Sequence, residues 1–589
     1  MEERKVFLTA KRLRQKNMVN VTLLDGYVDE PTCLGVPPYI SPYPRYIAGA
    51  VWAYDAYAEI SYVTIDQLRR EPRMMSRFLK TDLLVVIAGM SVPGRYLAGF
   101  PASPNELVAL LQPLQHPIKI LCGPAARYGF GLSGGKNVRD LASVRSVFDL
   151  IVSGDGELAV AEMLRNKLKP DTIDPTLCRT TASAIRDYAV KGARLVRQHP
   201  FFPDHLITEI ETYRGCSRSI TGGCSFCSEP SKGVPDFRPI DDICAESAAL
   251  YNVGIRHMRI GNQPCIFSYM AKGAGELEFP QPNPEALERL FKGIRAVAPD
   301  IKTLHIDNAN PGVIARHPEE SHRIAKSIIK YHTAGDVAAF GVESVDPVVM
   351  KKNNLKASEE EVLSAIRLLN EVGSQRGTNG LPELLPGLNF VFGLDGETKQ
   401  TFALDYEFLK KIYDEGLLVR RINLRQVIPL PGTRMFSIGT KNVRKHHAEL
   451  QKFKRKVKET IERPLLERLV PQGTVLTDVF LETYEGKLTF GRQMGSYPLL
   501  IGLPGVFHLN QFVNAKIIDY GYRSVTAVPY PLDINHAPRE TLEALPGLGK
   551  KRVIRLLAHR PFATCEQLVS SLDDPEVARK LLEYIHFSK

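Results

Sequence analysis

The chain has 589 residues, with 76 Lys and Arg against 65 Asp and Glu for a net charge of +11, and 44% apolar residues. Such a length predicts roughly four domains with ample core material, and the basic balance suits a polyanionic partner without identifying one. No apolar run approaches the roughly 18 residues of a membrane span, and the polar start, Met1 to Lys16, lacks the apolar core of a secretory signal. Nine scattered cysteines do not read as a disulfide framework, so a cytoplasmic protein with reduced thiols and no membrane association is expected.

Residues 1–165 form the first predicted domain. Val21 to Leu24, Leu83 to Ile87, Ile118 to Cys122 and Leu150 to Ser153 are short apolar runs between helical stretches, the pattern of buried parallel strands in a doubly wound α/β sheet. Its loops, Gly35 to Tyr43 and Ser153-Gly154-Asp155-Gly156-Glu157, resemble those of the cobalamin-binding-like domain that precedes many radical S-adenosylmethionine (radical SAM) barrels. The D-x-H-x-x-G motif that ligates the vitamin is absent, so the resemblance implies the fold without cobalamin.

A second domain is predicted over 200–440, and it opens on the most informative stretch of the chain. Cys216, Cys224 and Cys227 follow one another as C-x7-C-x2-C. Three thiolates hold three irons of a four-iron cluster and leave the fourth open for chemistry, whereas an electron-transfer cluster takes four. A zinc knuckle also uses a C-x2-C pair, but Cys244 and Cys265 lie well outside the loop as a fourth ligand. The loop, with Phe226 before its last cysteine, resembles the cluster loop of radical SAM enzymes. It departs from the usual C-x3-C-x2-C by a longer first gap, which Gly222-Gly223 would loop out.

Five strand ends follow in the order expected of a partial (β/α)6 barrel of TIM type, whose strand ends form the catalytic mouth. His257 to Ile260 ends in Gly261-Asn262-Gln263, where the family carries a turn binding the amino group of the cofactor's methionine. Thr303 to Ile306 ends in Asp307-Asn308. Ala338 to Gly341 ends in Val342-Glu343-Ser344, which resembles the fourth-strand signature whose Glu and Ser contact the cofactor. Asn389 to Thr398, with Val391 and Gly393, resembles the segment packing on adenine, and Ile422 to Ile428 leads to a sixth-strand turn. The resemblance implies a 4Fe-4S cluster on Cys216, Cys224 and Cys227, S-adenosyl-L-methionine as cofactor, and an electron donor.

Residues 441–473 are basic with apolar residues at helical intervals and predict an amphipathic linker helix. Residues 474–534 read as short strands, Val475 to Thr483, Lys487 to Gly491, Leu499 to Gly502 and Asn514 to Val528. They resemble a TRAM domain, a small oligonucleotide-binding type of β-barrel. Residues 535–589 carry a helix-hairpin-helix pattern: a helix begins near Asn535 and Pro538, Leu545-Pro546-Gly547-Leu548-Gly549 makes the hairpin, and Lys550 opens the next helix. Gly547 and Gly549 would turn backbone N–H groups toward a phosphate, with Lys550, Lys551 and Arg552 adding charge.

The whole order of domains resembles the radical SAM subunits of archaeosine synthases. That resemblance implies a C–N bond-cleaving enzyme of tRNA modification, acting on a lysine adduct of 7-deazaguanine in the tRNA D-arm alongside a lysine-transferring subunit. The competing readings are another radical SAM RNA modification, methylthiolation or methylation, and a non-catalytic iron–sulfur protein that binds nucleic acid. A methylthiotransferase needs three amino-terminal cysteines, and the first 150 residues offer Cys33 and Cys122. A DNA-repair glycosylase places four cysteines after its hairpin, against three before it here.

Overall fold

Five short strands near the amino terminus pair edge to edge, two of the inner ones, Val21–Asp25 and Leu83–Ile87, buried throughout. The computed structural model describes residues 19–30, 33–35, 38–89, 97, 99–132, 136–139 and 141–588. The Met1 to Lys16 segment, and Val36 and Pro37 of the Gly35–Tyr43 loop, lie outside the described residues. The chain divides into two units, Met1–Lys302 with Arg425–Lys441 and Thr303–Leu424 with Asn442–Lys589.

In the first unit, β1 (Val21–Asp25), β2 (Ile60–Thr64), β3 (Leu83–Ile87), β4 (Ile118–Cys122) and β5 (Leu150–Ile151) form a sheet of order β2-β1-β3-β4-β5, with every pairing parallel. This is a doubly wound arrangement with its switch point between β1 and β3. The apolar pattern of the sequence marks four of these strands and misses β2, whose run is interrupted by Ser61. Leu24, Val63, Phe78, Leu84, Val86, Leu107 and Leu121 form the core on one face, each contributing about 1.5–3 kcal/mol by burial. Next, β6 (Ile207–Glu211) lies parallel between Tyr39–Ile40 and β7 (His257–Gly261), and Glu211 stands opposite Gly261. The register therefore sets the loop after β6 beside the turn after β7.

In the second unit, β8 (Thr303–His305) runs on to Asn308–Ala309. That segment heads a sheet continued by β9 (Asp336–Glu343), β10 (Leu384–Phe392) and β11 (Arg421–Gln426). Gly341 stands opposite Asn389, and a register shift follows before Glu343. A capping box of Ser358 and Glu361 starts the helix Glu359–Gly373, whose Val362, Leu363, Ile366 and Leu369 are buried.

The basic linker, expected as one helix, is broken into Lys441–Lys445, His447–Val457, a π turn Lys458–Glu462 and Arg463–Leu469. Pro464 has no N–H to return to the preceding turn, which accounts for the break. Its buried stripe, Leu450, Phe453, Val457, Ile461 and Leu465, keeps the helical interval.

Five strands then close into a barrel of order β12-β13-β14-β16-β15: β12 (Val475–Glu485), β13 (Leu488–Gln493), β14 (Leu500–Pro504), β15 (Phe512–Tyr520) and β16 (Ser524–Pro529). The single strand expected over Asn514 to Val528 is two, because the chain turns back at Gly521-Tyr522-Arg523, where Gly521 N donates to Ser524 O at 2.8 Å. Beyond it, helices Arg539–Ala544, Lys550–His559, Cys565–Ser571 and Pro575–Leu581 enclose Leu542, Leu545, Leu548, Val553, Leu556 and Leu568. Asn535 does not cap the first of them; its side chain ties to the Phe562 and Ser588 carbonyls. Among the described residues no helix is long and apolar enough to cross a membrane.

Candidate active site

The cysteine loop is closed at its base by Tyr213–Arg214 pairing antiparallel with Asp236–Phe237. Gly215 follows at φ +84°, and a Cβ there would meet Val234 O at 2.3 Å, so only glycine lets the chain enter the loop. Cys216 N donates to Gly233 O at 3.0 Å. The longer first gap is a 3-10 turn, Ser217–Thr221, ended by Gly222 and Gly223 at φ +80° and +61°. The insertion is thus taken up locally. Cys227 N donates to Cys224 O at 3.2 Å, and Glu229 N to Cys227 Sγ at 3.4 Å. Arg218, itself buried, donates Nε to Glu278 at 2.8 Å and Nη1 to Cys224 Sγ at 3.0 Å. From the other side Arg434 donates to Gly223 O and Met435 N to Ser225 O. Phe226 is half-buried.

All three thiols are free and partly exposed. Burial pushes Cys216 up to about 11, with the neighbouring Cys224 adding to the rise. Burial and Cys224 push Cys227 up further. The three cysteines are soft donors of the kind that hold the irons of an iron–sulfur cluster.

Behind the loop lies an ionic lattice. Arg214 donates to Asp155 Oδ1 at 2.6 Å and to Glu211 Oε2 at 3.2 Å, while Arg179 donates to Glu211 Oε1 at 2.9 Å and stands 3.2 Å from Glu157. Burial, then Asp155, raises Glu157 to about 7. The Ser153–Glu157 loop therefore braces the strand that carries the cysteines, a role with no signal in the sequence beyond its two acids.

In the turn after β7, Asn262 sits at φ +57° and donates Nδ2 to Glu211 Oε2 at 3.1 Å. Its Oδ1 is buried without a hydrogen-bond partner. An orphaned acceptor of this kind costs about 1–3 kcal/mol and calls for a donor. A Cβ on Gly261 would strike Glu209 Oε1 at 2.2 Å, and Gln263 is buried, its amide donating to Ile260 O.

The other predicted positions belong to the second unit. Asp307 accepts the Tyr497 phenol at 3.0 Å; Asn308 is half-buried at the sheet edge. Glu343 has a left-handed backbone, φ +68°, and lies 3.5 Å from Lys356. Ser344 donates its hydroxyl to Asp405 at 3.1 Å, beside the Val345 N–H at 2.8 Å. Burial pushes Asp405 up to about 8. Val391 is half-buried, and Gly393, φ +94°, donates N–H to Glu397 at 2.6 Å. Asn389, Asn423 and Arg421 form a row: Asn423 Nδ2 donates to Asn389 Oδ1 at 2.7 Å, and Arg421 Nε to Asn423 Oδ1 at 2.6 Å.

At the carboxy-terminal hairpin Gly547 turns at φ +80°, whereas Gly549 is extended. Lys550 and Lys551 are exposed. Arg552 is engaged within the protein, at 2.7 Å from Asp573 and 2.8 Å from Gly547 O.

Residues 210–409 match the radical SAM superfamily. The chain is 49% identical to the uncharacterized protein MJ0274 of Methanocaldococcus jannaschii, over 86% of this chain and 92% of that one. It is 22% identical to the tRNA-2-methylthio-N(6)-dimethylallyladenosine synthase of Acinetobacter baylyi, over 37% of this chain and 41% of that one. Among solved structures, the radical S-adenosylmethionine methyltransferase TsrM of Kitasatospora setae is similar at a TM-score of 0.47 and 14% identity, covering 71% of this chain and 74% of that one.

Proposed function

This chain is a radical SAM enzyme of the same family as the Methanocaldococcus protein, using a 4Fe-4S cluster and S-adenosylmethionine, and from that premise we propose that it modifies a nucleotide of structured RNA, tRNA first. The observation that carries the reading is one chain holding both a three-thiol loop and a five-stranded closed barrel followed by a glycine-turned hairpin with exposed Lys550 and Lys551. Small closed barrels and helix-hairpin-helix units hold nucleic acid through backbone and charge contacts. We take residues 474–534 as a TRAM-like module and 535–589 as a helix-hairpin-helix module on these grounds.

When bound, the cluster supplies one electron to the sulfonium of S-adenosylmethionine, which releases methionine and a 5'-deoxyadenosyl radical. Cys216, Cys224 and Cys227 would ligate three irons. Arg218 offsets charge at Cys224 through its 3.0 Å contact. Asn262 would accept the cofactor's amino group, and Glu211 fixes the amide for it. Glu343 would accept a cofactor donor, its strained backbone holding the carboxylate at a strand end.

None of the relatives named above bears an archaeosine name, so the lysine adduct of 7-deazaguanine enters as the first specific substrate to test, with the lysine-transferring subunit and a protein electron donor as its expected partners. Methylthiolation is not adopted: it needs a second cluster, and Cys122 is fully buried at the end of β4. The test is mass analysis of nucleosides after reduced, reconstituted protein and S-adenosylmethionine act on bulk tRNA and on lysine-adduct tRNA. Loss of the adduct with archaeosine formation supports the specific substrate; a different new nucleoside supports RNA modification alone.

A further inference from the structure

The linker that leads into the small barrel carries charge of one sign over its first half. Arg444, Lys445, Lys452, Arg455, Lys456 and Lys458 are all exposed. The buried stripe fixes that direction: the Phe453 ring lies 5.2 Å from Phe392 and 5.8 Å from Phe402, so the helix His447–Val457 is docked by one side and holds its cations on the other. Among the described residues none of the six forms an ion pair, and Lys456 lies over the Tyr406 ring at 3.3 Å. Of the acids beside them, Glu449 is taken by Lys399 at 3.4 Å, and Glu459 is exposed and bonds none of them.

Other exposed helices of this unit do the opposite. Lys410 faces Asp414, Arg463 faces Glu467 and Arg539 faces Glu543, each pair four residues apart, the spacing at which opposite charges support a helix and like charges oppose one another. At that same spacing the linker sets Lys452 against Lys456 and Lys454 against Lys458. Half-buried Lys454 registers the crowding: burial, then Arg523 and Lys458, lower its pKa. A face that serves only solubility mixes its signs. One that gathers cations without acids of its own leaves them to an anion from outside.

Arg523 brings a second element into this surface. It sits in the turn between β15 and β16 and donates Nε to Glu462 of the linker at 2.7 Å, which fastens the edge of the barrel to the helix. Tyr522, next to it, is 49% exposed. Cations on successive helical turns beside an open aromatic ring suit a nucleic-acid strand, whose phosphates repeat and whose bases stack, better than an acidic protein, whose carboxylates need no ring.

We infer that the cationic face of the linker and Tyr522 form one surface for the phosphate backbone of RNA, with the ring placed to stack on an unpaired base. This partner class rests on the RNA reading above, and the surface adds to the barrel and the hairpin a grip that precedes both in the chain.

The test uses full-length reconstituted protein. Lys452→Gln, Arg455→Gln and Lys458→Gln together are expected to lower tRNA affinity by about tenfold or more and to reduce the slope of log affinity against log salt by about 2–3 units, one share for each phosphate no longer neutralised. Iron content and melting temperature should hold, because like charges are being removed. Lys452→Arg, Arg455→Lys and Lys458→Arg together keep the charges and should bind as wild type does. Tyr522→Ala should weaken binding about five- to tenfold with the slope unchanged; binding equal to wild type overturns the stacking role. Unchanged affinity and slope in the neutralised variant overturn the inference, as does an equal loss in the charge-conserving one. If the neutralised variant keeps its tRNA binding and loses its hold on polyglutamate, or on vesicles of phosphatidylserine and phosphatidylcholine in equal parts, the face serves an acidic protein or a lipid surface and the inference falls. The functional reading fails separately. Wild type that modifies no RNA, yet binds tRNA with a slope the neutralised variant lowers, leaves the surface standing; wild type that modifies RNA while the neutralised variant binds as it does removes the surface alone.

Discussion

The loop from Gly215 to Cys227 and the segment from Met494 to Tyr497 both hold backbone in left-handed conformations, and they do so by opposite means. The first uses glycine at Gly215, Gly222 and Gly223, where positive φ is nearly free. The second places a tyrosine at φ +52° and holds it through Asp307, Arg420 and Arg421. A glycine-built loop adopts its positive φ angles at little intrinsic cost. A strained aromatic is shaped by its neighbours and is already ordered.

The largest effect expected is at the thiols. Cys216→Ala, Cys224→Ala or Cys227→Ala should each remove cofactor cleavage, a loss of at least a hundredfold in 5'-deoxyadenosine formation, while tRNA binding persists; cleavage retained in one of them would take that cysteine out of the ligand set. Gly215→Ala and Gly223→Ala come next. Their methyl groups would meet Val234 O and Pro230 Cγ, each at 2.3 Å, so iron content per chain should fall several-fold at a cost of about 1–3 kcal/mol to the loop. Glycine to alanine at Gly222, where nothing lies within 4 Å, should cost less. Equal iron loading in all three would mean that the loop is shaped by the cluster and not by its glycines.

A third test turns on pH. Asp405 is raised by burial from the ordinary carboxylate range to about 8, so between pH 4 and pH 8 the folded state holds a proton that the unfolded chain has released. Stability from this group is whole below about pH 4 and drains away as pH rises through 8. In urea titrations Asp405→Asn should flatten that decline; an equally steep decline would place the titrating group elsewhere. The smallest effect expected is at the hairpin. Lys550→Glu with Lys551→Glu should weaken tRNA binding and lower the salt slope by about one unit for each phosphate no longer neutralised. Arg552→Ala should act chiefly on folding, since its guanidinium is held by Asp573 and the Gly547 carbonyl.

What the sequence displayed and what it hid follow from the same contrast. The cysteine spacing, the aliphatic strands and the Gly547 turn are local, and local chemistry is written in consecutive residues. The paired halves of Asn514 to Val528 were hidden because Gly521-Tyr522-Arg523 sits between two runs of similar apolar character. The π turn was hidden because Pro464 acts on residues before it. Tyr497 meets Asp307 across 190 positions and Arg214 meets Asp155 across 59, and no periodicity marks such a meeting. Ser344 is a further case: its hydroxyl donates to Asp405, 61 residues away.

The central claim is that radical chemistry started at the cysteine loop ends on RNA. Its most direct measurement follows 5'-deoxyadenosine and modified nucleosides together in one anaerobic reaction with reduced protein, S-adenosylmethionine and tRNA. The account predicts that both rise in fixed proportion with wild type and that both vanish with Cys216→Ala. Steady cofactor cleavage with no new nucleoside in any tRNA pool, the lysine-adduct tRNA included, would contradict it.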